Sequence, residues 1–123
     1  MELHQVAQHA VDLDRAVAFY SDMLGCDLIA RFDPPGLAFL RLGDARLLLD
    51  SNAPSALIYL RVDDVRTAAG QLRSAGITVE SEPCLIHTDA DGVFGPPGWQ
   101  EWMAFIRDTE GNLVGLASRN ASD

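Results

Sequence analysis

Trp102–Leu116 reads WMAFIRDTEGNLVGL. An apolar run enters an acidic turn closed by Gly111 and Asn112, and a second apolar run leaves it, the pattern of a β-hairpin. Gly and Asn adopt positive φ at low steric cost, so they suit the reversal. A weaker copy lies upstream. Ala38, Phe39, Leu40 and Arg41, a turn through Gly43 and Asp44, then Leu47, Leu48 and Leu49 echo the hairpin that begins Ala104, Phe105, Ile106, Arg107. The other half of the unit repeats as well: Val11, Asp12, Leu13 and Ala16 lead at helical spacing to Leu24 and Gly25, and Val62, Asp64, Val65 and Ala68 lead to Leu72 and Gly76. Each half therefore reads strand, helix, then three strands, an internal duplication of one βαβββ module.

Working outward, the expected fold is α+β, a single domain over 1–123 with module one at 1–52 and module two at 55–119. Strands are expected at 3–10, 26–32, 37–42, 45–50, 56–62 and 77–80, the last continued beyond Pro83 by Leu85 and Ile86. The first helix, capped by Asp12 or Asp14, carries a stripe of Leu13, Ala16, Val17, Tyr20 and Leu24. The second, Asp64 to Ala75, turns Val65, Ala68, Ala69 and Leu72 inward. His87 to Gly98 reads as a long loop rich in Gly, Pro and Asp, the kind that carries function in compact domains. Residues beyond Arg119 read as a frayed tail.

The composition is that of an ordinary globular protein, 48% hydrophobic, with a formal charge of −9. Such a charge repels phosphate backbones and anionic lipid, so no nucleic-acid or membrane partner is expected. No apolar run reaches the ~18 residues of a membrane span, and no basic start and apolar core mark a signal peptide. A cytoplasmic protein is expected. Cys26 and Cys84 are not spaced as a metal pair, and both read as buried or half-buried thiols. Cys84, three residues before His87, lacks the third group that an activated nucleophile needs.

The phrases VDLDRAVAFYSDMLG at 11–25 and AFIRDTEGN at 104–112 resemble the vicinal-oxygen-chelate superfamily. This is the fold of glyoxalase I, methylmalonyl-CoA epimerase, extradiol dioxygenases and bleomycin-resistance proteins. The likeness spans essentially the whole chain, although Thr109 and Glu110 follow Asp108 where the family usually has Asp-Pro. The resemblance implies modules curved into half-barrels around a cleft, a homodimer, and four ligand positions for a divalent cation. Those positions fall here on Gln5, on Leu57, within Leu47 to Leu49, and on Gly115. Hydrocarbon side chains and glycine cannot donate to a metal. No cofactor is therefore expected at the usual site, and with it goes the family's metal-assisted carbonyl chemistry.

A divalent metal is left open only through a displaced set, Gln5, His9, His87 and Glu101, in which Gln5 and His9 share a strand face by their spacing. The alternative for the set is a hydrogen-bonded His9, a loop His87 and a solvated Glu101. His87 alone could serve as an acid or base. Trp99 and Trp102 suit a flat or cationic ligand, or else core packing. Gln8, a polar group on the face meant for the helix, must find a partner there unless strand twist lets Gln8 and His9 both reach the cleft. The expected function is a small-molecule-binding protein of the glyoxalase and bleomycin-resistance type without the standard metal, sequestering a ligand such as a cationic aromatic compound. The alternatives are a lyase, isomerase or epimerase using a displaced metal or His87, and a partner-binding protein whose cleft the leucines fill.

Overall fold

The computed structural model describes residues 1–122 and divides them into two compact units, one of 1–56 with 108–112 and one of 57–107 with 113–122. In the first unit, β1 (Gln5–His9) is followed by α1 (Leu13–Ala18), β2 (Leu28–Phe32), β3 (Leu37–Leu42) and β4 (Ala45–Asp50). Its sheet runs in the order β1-β4-β3-β2, with β1 parallel to β4 and the other pairs antiparallel. Asp12 caps α1 by accepting the Arg15 amide at 3.1 Å. The helix does not keep one pitch to Gly25. Phe19–Met23 widens into a π-helical turn, closed by the Leu24 amide on the Phe19 carbonyl at 3.1 Å. The extra residue per turn buries Phe19 beside Tyr20, where a uniform 3.6-residue stripe includes Tyr20 alone. These rings pack with Ala16 in a core that also holds Ala38, Leu40, Leu47 and Leu49.

The second unit holds β5 (Ile58–Arg61), α2 (Val65–Ser74), β6 (Val79–Asp89), β7 (Trp99–Arg107) and β8 (Leu113–Asn120). The sheet order β5-β8-β7-β6 repeats the first, again with one parallel pair, β5 with β8. Val65 and Ala69 of α2 bury against Ala104 of β7, with Trp102 packed on the same cluster. The Val65 amide donates to Ser118 Oγ at 3.1 Å, tying the start of α2 to β8.

Two boundaries depart from expectation. β6 is one long strand that passes through Pro83 and takes in His87, which is therefore a strand residue and not a loop residue. Proline is tolerated because β6 is the sheet edge and its register slips between Ser81 and Cys84, so no ladder donor is lost from a central strand. The chain beyond Arg119 is also not frayed at once: Asn120 ends β8 and its side-chain Nδ2 donates to the Asp63 carbonyl at 3.0 Å. Among the described residues no helix is long and apolar enough to cross a membrane.

Candidate functional site

Strand alternation decides which side chains of the second sheet are free to meet a ligand. On β8, Val114, Leu116 and Ser118 are buried toward α2, so Gly115, Ala117 and Arg119 take the opposite face. Their cross-strand neighbours share that face: Tyr59 and Arg61 on β5, and Glu101, Met103 and Phe105 on β7. Tyr59, Arg61, Glu101, Ala117, Ser118 and Arg119 line a shallow pocket of about 200 Å³.

One wall of this pocket is fixed in place. Asp89, 1% exposed at the end of β6, accepts the amides of Val93 and Phe94 at 2.8 and 2.9 Å and the Arg119 Nη2 at 3.0 Å. The Phe94 amide, then the Val93 amide and the Arg119 guanidinium, hold the Asp89 carboxyl below its ordinary range against the opposing cost of burial. Gly92 permits the loop to fold this way, because a Cβ there would stand 2.9 Å from the Gly95 carbonyl oxygen. The Arg119 guanidinium lies so close to Gly95 that a Cβ at that position would sit 3.1 Å from Nη2. Its Nη1 is buried with no hydrogen-bond partner among the described residues.

A second feature lies beside the pocket. The Tyr59 ring covers Gly115, where a Cβ would come within 2.6 Å of it, and meets Phe105 edge-on at 5.8 Å between centroids.

The candidates taken from the sequence divide between the units. Glu101 lines the pocket; His87, its cross-strand partner, is exposed and meets the Phe94 ring edge-on at 6.4 Å. Trp99 is half-buried and pairs with Asp89. Trp102 does not join them. It packs on the α2 cluster under the Arg66 guanidinium, 4.9 Å from the ring centre, because its parity on β7 is that of Ala104 and Ile106.

In the first unit, Gln5 gives its side-chain oxygen to Arg46 Nη2 at 2.8 Å, and the same guanidinium lies over Phe39. His9 is half-buried with Nδ1 3.3 Å from the Ala53 carbonyl, its amide donating to Ser55 Oγ. Gln8 is wholly buried on the helix side and donates to the Tyr20 hydroxyl at 3.5 Å, so strand twist does not carry it to the open face. Tyr20 in turn donates to Asp108 at 2.6 Å, and Asp108 also accepts the Asn112 amide and side chain.

Tyr59, Arg61, Asp89 and Arg119 were not marked by the sequence patterns considered above. The available signal was an arginine in an apolar final strand, at the parity of Gly115, which apolar periodicity passes over.

A model of the Glyoxalase/Bleomycin resistance protein/Dioxygenase superfamily matches residues 2–116. The chain belongs to this superfamily. Among solved structures, lactoylglutathione lyase from Agrobacterium tumefaciens is 26% identical with a TM-score of 0.70, over 95% of this chain and 92% of that one. SMU.1112c is 25% identical with a TM-score of 0.74, over 96% and 98%. TnmS3, an antibiotic binding protein from Streptomyces sp. CB03234, is 23% identical with a TM-score of 0.68, over 98% and 97%, a likeness of fold. No curated protein matches the chain.

The metal positions of the glyoxalase superfamily do not fit a cation in this chain. Gln5 is engaged by a guanidinium, Leu57 and the β4 leucines have no donor atom, and the Tyr59 ring occupies the space over Gly115. Nor do three His, Cys, Asp or Glu side chains gather elsewhere among the described residues.

Proposed function

We propose that this superfamily member binds a small organic molecule, without a resident metal, on the open face of its second sheet. The observation that carries the proposal is the Tyr59 ring seated on Gly115: an aromatic surface stands where a metal-dependent relative would carry a carboxylate. Such a surface suits contact with an apolar or aromatic part of a ligand. The arginines of the pocket argue against the purely cationic ligand that the overall charge of −9 first suggests. The family's homodimer remains part of the proposal and is read by sedimentation velocity.

The test is metal content by mass spectrometry on untagged protein, followed by titration with Ni, Co, Mn and Zn. The expected result is substoichiometric metal and no change in melting temperature with any of the four. A stoichiometric metal, stabilising the fold and removed by chelator, would overturn the proposal.

The 26% identity to a lactoylglutathione lyase favours a second reading, a lyase or isomerase in which His87 exchanges a proton next to Glu101. Against it, no hydrogen bond holds the His87 imidazole in one tautomer among the described residues, so its orientation would have to come from the substrate.

A further inference from the structure

The pocket of the second sheet carries charges of both signs that do not neutralise one another. Arg61 and Glu101 both line it, and neither has an ion-pair partner among the described residues. Opposite charges held apart in one concavity match a molecule that carries both signs itself. Arg119 adds a third charge, different in kind. Its Nη2 is anchored on buried Asp89, and Asp89 is itself fixed by two loop amides, so the guanidinium cannot swing away. The side chain nevertheless stays 19% exposed and lines the pocket.

Counting Arg61 and Arg119 against Glu101 and Asp89, the pocket and its anchor are formally neutral. A simple anion would meet the Glu101 carboxylate, and a simple cation would meet two guanidinium groups. A zwitterion satisfies all three side chains at once. We infer that the pocket recognises a free α-amino acid with an apolar side chain: its carboxylate on Arg61 and the exposed part of the Arg119 guanidinium, its ammonium on Glu101, and its side chain against the half-exposed Tyr59 ring. This assignment rests on the metal-independent binding site proposed above.

Three probes of one shape test it: phenylalanine, a zwitterion; N-acetylphenylalanine, an anion; and phenylalaninamide, a cation. Each is titrated into the 15N-labelled protein, following the amides of β5, β7 and β8. The expected result is that phenylalanine binds at least ~10-fold more tightly than either relative, as the loss of one charged hydrogen bond requires. Arg61→Ala, at an exposed site, weakens phenylalanine by a similar factor, with a wild-type amide spectrum showing that the variant is folded. Glu101→Gln removes the preference for phenylalanine over its N-acetyl form while leaving the N-acetyl affinity unchanged or higher. Equal binding of the three probes, or no shift with any of them, would overturn the inference. Protein that proves metal-free yet ignores phenylalanine loses only this assignment, whereas a stoichiometric metal removes the binding-site proposal itself.

Discussion

Gly115 and Tyr59 show how one position can decide chemistry for its neighbourhood. Adding a single methyl in Gly115→Ala drives a Cβ to 2.6 Å from the Tyr59 ring and 3.2 Å from Phe105, so the ring must move. We expect a loss of about 1–3 kcal/mol by urea titration. Most of that loss should vanish in a Tyr59→Ala background, and a cost unchanged there would show that the strand, and not the ring, resists the methyl. Tyr20 is a second such residue. Burial, then the bond to Asp108, pushes its hydroxyl above the ordinary value of 10.0. A raised value means the neutral form is the native one, so this contribution is complete below pH 10.0 and is lost as pH rises further. In a Tyr59→Phe protein, absorbance at alkaline pH should report tyrosinate only together with unfolding. Tyr20→Phe, which strips a donor from Asp108 and an acceptor from Gln8, should cost about 1–3 kcal/mol. Of the residue-scale features, the hydrocarbon side chain at Leu57 and the lack of one at Gly115 were legible from residue type alone. The Arg119 and Asp89 pair was not, because an ion pair across 30 positions leaves no local pattern.

At the scale of elements, the strands and helices followed their periodicities closely: β3 and β4 fall on the expected residues, and the Asp64 cap opens α2. The misses have distinct physical causes. The expected strand resumes beyond Pro83 at Leu85 and Ile86 and ends before His87, but as a sheet edge it runs on through the proline, which has no ladder donor to lose there, and absorbs the slip as a bulge. The π-helical turn was invisible because its one trace in the sequence is an apolar Phe19 next to Tyr20, which a uniform helical stripe passes over. The loop that ends at Gly98 was legible from its Gly, Pro and Asp content, but the carboxylate that organises it was not. Asp89→Asn should therefore speed hydrogen exchange at the Val93 and Phe94 amides and loosen Arg119. Because the native carboxyl lies below its ordinary 3.8, its contribution holds above that pH and fades as pH falls through it. Wild type and variant should thus converge in acid, and a gap in exchange that persists there would assign the ordering to Gly92 and the prolines instead.

For the molecule as a whole, the duplication read from the sequence is real in the topology: both sheets run edge, last, middle, edge with a single parallel pair. The units are nevertheless not two consecutive lengths of chain. Asp108–Asn112, a turn written into the second repeat, belongs to the first unit. There it supplies the Asp108 acceptor for Tyr20, the Asn112 side-chain nitrogen for the His9 carbonyl, and the Asn112 side-chain oxygen for Ser55. During synthesis, then, the first 56 residues leave the ribosome with the Tyr20 hydroxyl still lacking its acceptor, and they wait for the last eighth or so of the chain before that unit can close. A gene cut after residue 56 should yield a peptide whose amide resonances collapse into the narrow range of an unfolded chain. A messenger broken late would likewise leave behind neither half finished.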